Sequence, residues 1–295
     1  MARFRVRSWN CFGMGQGVLD AITALRAPVP ERLRHGDVHE ACAVPNVLCV
    51  QELLSRDAQQ FFDGVGNETF VARFRDHNRP SFRPASMRGS GLGIASRSPL
   101  LEPRVRHYLP PNVGWDKLAR KGSLHVQIPL AGGPTVDLLT THLQAGYDPG
   151  AIAVRAAQLA ELAEVVREVG HDDRPFIVCG DFNIDGLASR RDAPEYRRLV
   201  SALEGFVDLG AEDDRATYEP HPDTNALAYA YEPDGPRMRI DYVFFRQAKN
   251  GRPLASVALE RILDRPLTSP AGAAPAYASD HFGLCASFEY EPARP

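Results

Sequence analysis

The sequence predicts an α/β protein in which two packed mixed β-sheets carry helices on both outer faces. Short apolar runs of strand length recur at close intervals along the 295 residues, with helical patterns between them. Polar residues suited to chemistry stand where such runs end, from Asn10 near the start to His281 near the finish. One domain spanning residues 1–295 is therefore expected to bring the two ends together.

Taken in order, Phe4-Arg5-Val6-Arg7-Ser8-Trp9 alternates at period two, as a strand with one covered face does. Residues 44–50 form a short apolar run, a buried strand ending at Gln51-Glu52. Residues 70–74, 91–96, 123–129 and 135–141 continue the strand series. The clearest helix starts at Asp148-Pro149, an N-cap acid followed by proline at the first helical position. It carries Ile152, Leu159, Leu162, Val166 and Val169 on one face and stops at Gly170. Residues 192–203 read as a second, shorter helix, and residues 239–246, 255–262 and 284–290 close the chain as strands. There is no internal repeat or domain linker, and the Pro/Gly/Ala-rich residues 266–276 read as a surface loop.

Composition narrows the class. An apolar content of 44% and a mean hydropathy of -0.28 predict a soluble chain with ample core. A net charge of -3 and a pI near 6.3 give no overall basic field, which argues against a non-specific DNA enzyme but leaves a local basic groove open. The five cysteines (11, 42, 49, 179 and 285) are odd in number and sit mostly in apolar runs, so reduced core thiols are expected. No apolar run reaches the roughly eighteen residues a spanning helix needs. Strand-like sequence begins at Arg3 with no apolar leader, so the expected location is cytoplasmic unless a leader has been removed. A monomer is expected.

The chemistry gathers at strand ends. Gly180-Asp181-Phe182-Asn183 follows the apolar Phe176-Ile177-Val178-Cys179, and Ser279-Asp280-His281 leads into Phe282-Gly283-Leu284. Glu52 follows a buried strand, where an unpaired carboxylate is costly. With the amide oxygen of Asn10 it suits a hard divalent cation, while capping or turn roles remain open for both. Asp181 and Asn183, two apart, point to one side of an extended chain; an Asx turn is the plainer reading. His142 ends a strand and, as a cation, would brace a developing phosphorane, although a lone histidine is often structural. His281 needs a partner to act as a base, and Asp241 supplies one by fixing its tautomer. Asp280 is a second metal contact or a loop holder. Together these residues read as a divalent-metal phosphodiesterase site.

Trp9-Asn10, Gln51-Glu52, Thr141-His142-Leu143, Gly180-Asp181-Phe182-Asn183, Asp241-Tyr242 and Ser279-Asp280-His281 resemble the ordered motif set of the endonuclease/exonuclease/phosphatase superfamily, over roughly residues 4–288. That resemblance implies a four-layer, DNase-like α/β/β/α sandwich and Mg²⁺-dependent cleavage of a phosphate ester by water, with Mn²⁺ or Co²⁺ as substitutes. It implies that Glu52 and Asn10 hold the metal and that His281, oriented by Asp241, takes the proton. Asp181 then positions the water or assists the leaving group, while Asn183 and His142 stabilise phosphoryl charge.

Residues 141–145, 217–220 and 223–226 are also similar to segments of neutral sphingomyelinases, as is Lys121-Gly122. By that likeness Lys121 contacts phosphate and Asn225 binds substrate; a solvated lysine between strands is the other reading of Lys121. The apolar, aromatic loop 108–115, with Tyr108 and Trp115, either dips into a lipid interface or folds over the core. No long hydrophobic hairpin of the secreted bacterial enzymes is visible. The expected substrate is thus a phospholipid, sphingomyelin or a relative. The alternatives are DNA or RNA, gripped by Arg73, Arg75, Arg79, Arg83 and Arg88, and a non-catalytic binding module on the same fold.

Overall fold

The structure, a computed structural model, describes residues 1–13, 29–43, 46–65, 70–73, 90–109, 111–118, 120–268 and 275–293. Alternation along the first strand, β1 (Ala2–Asn10), turns Phe4 and Val6 to one face and Trp9 to the other. Beside it lie β2 (Val47–Gln51), parallel, and β12 (Gly283–Tyr290), antiparallel. With β3 (Phe70–Arg73), β4 (Gly93–Ser96) and β11 (Ala255–Ile262) they form a six-stranded sheet in the order β11-β12-β1-β2-β4-β3. The second sheet contains β5 (Leu101–His107), β6 (Gly122–Pro129), β7 (Thr135–His142), β8 (Phe176–Asp181), β9 (Val207–Asp208) and β10 (Asp241–Arg246). Its order is β5-β6-β7-β8-β10-β9.

Three apolar layers hold the sheets and helices together. Phe4, Val6, Val47, Cys49 and Ile94 of the first sheet meet Val126, Leu138, Ile177, Cys179 and Val243 of the second. The outer face of the first sheet, with Trp9, Leu48 and Val50, is covered by α2 (Gly36–Cys42) and α3 (Arg56–Val65); the short α1 (Val29–Leu33) adds Leu33. Leu139, Val178 and Phe244 face α4 (Pro149–Val169) and α5 (Pro194–Ala202) on the other side. The result is the expected four-layer α/β/β/α sandwich.

The helix reading holds at its start, where the Asp148 carboxylate accepts from Gly150 N and Ala151 N. Two details differ. Ile152 is only half-buried, and Ala151, Gln158 and Val165 fill the covered face instead. Gly170 ends the helix at φ -76°, so glycine is required there by the close approach of Val166 O and Arg246 and not by a left-handed turn. All five cysteines are buried and unpaired. Residues 44–45, Phe74, Arg75, Arg79, Arg83, Arg88, Pro110 and 269–274 lie outside the described residues. No helix among the described residues is long and apolar enough to cross a membrane.

The sheets gather the polar strand ends. Parallel pairing sets His142 of β7 beside Asp181 of β8, and antiparallel pairing sets Asp241, the first residue of β10, beside the same Asp181. Gln51 donates to Ser8 Oγ within its own sheet at 3.3 Å and across the sandwich to Thr140 Oγ1 at 3.0 Å, tying the two sheets at this end. Gly180 makes the last step into Asp181 possible: its φ is 137°, and a Cβ there would collide with the Thr141 carbonyl. Gly180→Ala is therefore expected to destabilise the fold by about 3 kcal/mol, read as a lowered denaturant midpoint. An unchanged midpoint would refute this account of the strand end.

Candidate active site

Asn10 sits between the two sheets' carboxylates. Its Nδ2 donates to Glu52 Oε1 at 3.2 Å and to Asp181 Oδ2 at 3.0 Å, while its Oδ1 accepts from Phe12 N at 3.0 Å. Glu52 stands in the left-handed region at φ 63°, a costly backbone for a non-glycine residue and common where function dictates the conformation. Asp181 divides its oxygens. Oδ1 accepts from Asn183 N at 2.9 Å, closing an Asx turn, and Oδ2 faces Asn10, His142 (3.3 Å) and His281 (3.8 Å). The Asx-turn reading of this segment is thus realised, with the second oxygen left facing the other polar strand ends. Asn183, at φ 53° and not extended, donates from Nδ2 to Leu143 O at 3.1 Å.

On the opposite wall, His281 Nδ1 meets Asp241 Oδ2 at 2.9 Å, and the Tyr218 ring packs against the imidazole at 5.4 Å. The Thr217 hydroxyl accepts from the backbone of Ile240 and Asp241, fixing the start of β10. Asp280 is buried, with Oδ1 3.1 Å from Ser279 Oγ. Lys121 is buried at 3% exposure, so the solvated reading fails. Its Nζ donates to His142 Nε2 at 2.8 Å and lies 3.1 Å from Asp116 Oδ1.

This pocket is short of positive charge. Burial and the neighbouring Asp280 push the Glu52 carboxyl up to about 7. Burial likewise pushes Asp181 up to about 6, against the opposing pull of His281. Burial alone would lower His281, but Asp241, Asp280 and Asp181 outweigh it and hold the imidazole well above the ordinary histidine range. His142 moves the other way: burial, Lys121 and His281 keep it neutral.

The expected residues Asn10, Glu52, Lys121, His142, Asp181, Asn183, Asp241, Asp280 and His281 thus gather at one end of the sandwich. Several roles change. Asn10 aims its amide nitrogen, not its oxygen, at the carboxylates. His142 is a neutral acceptor and not a cation; the positive charge beside it belongs to Lys121. The Asn225 amide is taken up by the protein itself: its Nδ2 donates to Ser279 O and Asp280 O, and its Oδ1 caps α6 (Ala226–Tyr231) at Ala228 N. Tyr108 turns inward to bond Thr141 Oγ1 at 2.7 Å, whereas Leu109 is 85% exposed. Asp116, Thr217 and Tyr218 carry no chemistry of their own in the sequence reading, and only pairing with Lys121, Asp241 and His281 reveals them.

This constellation agrees with the sequence comparisons. The profile of the Endonuclease/Exonuclease/phosphatase family matches residues 8–281, and the chain belongs to that family. It is accordingly a metal-dependent phosphoric diester hydrolase. No curated protein sequence matches it. Among solved structures it is similar to sphingomyelinase C from Streptomyces griseocarneus, with a TM-score of 0.69 at 18% identity over 97% of this chain and 99% of the other. A beta toxin from Staphylococcus aureus with bound magnesium ions gives 0.71 at 18% identity, covering 96% and 98%. D. rerio TDP2 complexed with single strand DNA product gives 0.71 at 21% identity, covering 98% and 100%. At these identities the likeness is one of fold.

The residues present fit a divalent cation. Glu52 Oε2 and Asp241 Oδ1 are buried acceptors with no hydrogen-bond partner, a costly state that a cation relieves. Ligand atoms of Asp181, Asp241 and His281 lie within 4.8 Å of one another, so the pocket offers a second edge besides that of Glu52.

Without cation, the folded chain keeps a proton on Glu52 between pH 4.5, its unfolded value, and about 7. Folding is thus penalised increasingly as pH rises through that window. Glu52→Gln lacks this penalty and is expected to gain on wild type by on the order of 3 kcal/mol across the window, measured by denaturation in chelator. A pH-independent gap between the two proteins contradicts it.

Proposed function

We propose that this chain hydrolyses the head-group phosphodiester of a phospholipid, sphingomyelin or a related lipid, in the manner of a phospholipase C. Mg²⁺ is the preferred cation, with Mn²⁺ or Co²⁺ able to replace it. The observation that carries the reading is the buried Lys121–His142–Asp181–His281–Asp241 chain of contacts facing Asn10 and Glu52. The likeness in fold to the Streptomyces griseocarneus sphingomyelinase C supports the lipid substrate.

Glu52, assisted by Asp280 or Asp241, holds the cation. A divalent cation held there would supply Lewis-acid stabilisation of charge on a phosphoryl oxygen and would offset the carboxylate field around His281. His281 accepts a proton from water at Nε2, while Asp241 holds the Nδ1–H and the tautomer. Asp181 Oδ2, 3.8 Å from that Nε2, orients the same water. Lys121 has three ammonium donors; Asp116 and His142 engage two, and the third is available to a phosphoryl oxygen. His142 Nε2, as the acceptor, orients the Lys121 ammonium. Leu109, on the exposed loop, meets the lipid surface.

Phosphocholine release from sphingomyelin vesicles tests the reading. His281→Ala is expected to lower kcat by two to four orders of magnitude (about 10²–10⁴), and Asp241→Asn to lower it by at least about 10² with folding intact. Chelator is expected to abolish turnover and added Mg²⁺ to restore it. No turnover of any choline or inositol lipid would reject the lipid substrate. The similarity in fold to D. rerio TDP2 favours one second reading, a DNA or RNA phosphodiester. Cleavage of single-stranded DNA with strongly salt-dependent binding would favour it over lipid.

A further inference from the structure

The loop that delivers Asp280 and His281 is gripped by its backbone. Four successive carbonyls accept from side chains far away in sequence. Ala278 O accepts from Arg32 Nη1, and Ser279 O and Asp280 O accept from Asn225 Nδ2 at 3.0 and 3.2 Å. His281 O accepts from Trp9 Nε1 at 3.4 Å. Ser279 Oγ in turn donates to Asn10 O at 2.7 Å, and Phe282 N donates to Thr217 O at 2.8 Å.

Arg32 is the unusual member of this group. It comes from α1, is 3% exposed, and among the described residues no carboxylate accepts any of its hydrogen bonds. Its Nη2 donates instead to Phe12 O at 3.2 Å, and the guanidinium lies 5.8 Å from the centre of the Phe12 ring. Phe12 stands two residues after Asn10, and Ala278 stands two residues before Asp280. One rigid planar fork therefore bridges the exit of β1, which sets Asn10 against Glu52, to the loop that sets His281 against Asp241. A buried guanidinium without a hydrogen-bonded carboxylate is unfavourable for stability by itself. Its placement makes sense against Asp280 and Glu52, the acids whose field it feels.

We infer that Arg32 is a positioning residue for phosphodiester hydrolysis: it bolts the Asn10–Glu52 edge of the pocket to the Asp280–His281 edge, and its charge balances the carboxylates on that side. The inference rests on the family chemistry and on the role given to His281, not on the identity of the head group. Arg32 touches no reacting atom. Its loss therefore alters the distance between the two edges and leaves the substrate contacts themselves in place.

The test compares wild type with Arg32→Lys and Arg32→Gln, using bis(p-nitrophenyl) phosphate at saturating Mg²⁺, thermal melting, and hydrogen exchange of the amides of residues 276–284. Lysine keeps the charge but has no fork to hold both carbonyls. Arg32→Lys is expected to melt as a folded protein with kcat reduced about 10- to 100-fold and KM within about twofold. The His281 and Phe282 amides are expected to exchange at least about tenfold faster, with β7 and β8 unchanged. Arg32→Gln loses more turnover, part of which added guanidinium ion returns. Full turnover in both variants, loss that only follows the unfolded fraction, or unchanged exchange at His281 and Phe282 would each overturn the inference. If wild type cleaves no diester at all, the proposed function fails on its own, and the exchange measurement still decides whether Arg32 holds the loop.

Discussion

The molecule is organised around one electrostatic constraint. Asp181, Asp241 and Asp280 are buried and Glu52 is half-buried in one pocket, against Lys121, His281 and Arg32. Buried carboxylates either gain cationic partners or take up protons. Here they do some of each: Glu52 and Asp181 hold protons more tightly, His281 becomes more basic, and two carboxylate oxygens have no partner. Such a site stores unfavourable energy that a bound divalent ion relieves, which couples cation binding to the conformation of the strand ends.

The sandwich makes that crowding tolerable. Asp181 and Asp241 are paired in the ladder of the second sheet, and Glu52 and Asp280 stand just beyond strand ends of the first, so repulsion cannot simply push the groups apart. Asn10 holds Glu52 and Asp181 with the two hydrogens of one amide, joining residues from different sheets. Thr217 and Asn225 carry no charge and bond the backbone, not the carboxylates, of Asp241 and Asp280. Their hydrogen bonds fix the backbone on either side of Asp241 and His281.

Much of this was legible from the chain alone, for a physical reason. Strands buried on both faces, such as residues 47–51 and 176–181, must be apolar throughout, and a polar residue at their end then stands out. β5 escaped because it is an edge strand with mostly exposed side chains, so Leu101–His107 shows no alternation. The roles of His142 and Asn225 were misread because they depend on partners that sequence does not pair. A histidine next to a buried lysine is neutral, and an asparagine with both amide hydrogens on backbone carbonyls has none left for substrate. Arg32 and Asp116 left no signal, since the first bonds carbonyls and the second lies on the 3₁₀ turn Gly114–Leu118.

The same contacts connect the exposed loop to the chemistry. Asp116 accepts from Ala145 N at 2.6 Å while holding Lys121, and Val113 N donates to Gln144 Oε1 at 2.9 Å. Leu109 therefore projects from a segment bonded to the residues just after His142 and, through Tyr108, to Thr141 of β7. The most direct test of the central claim is calorimetric titration of Mg²⁺ near pH 6, in buffers of different ionisation enthalpy, into wild type and Glu52→Gln. The account predicts proton release on binding to wild type and at least about tenfold weaker binding to the variant. Equal affinity in the two proteins, with no proton released, would contradict it.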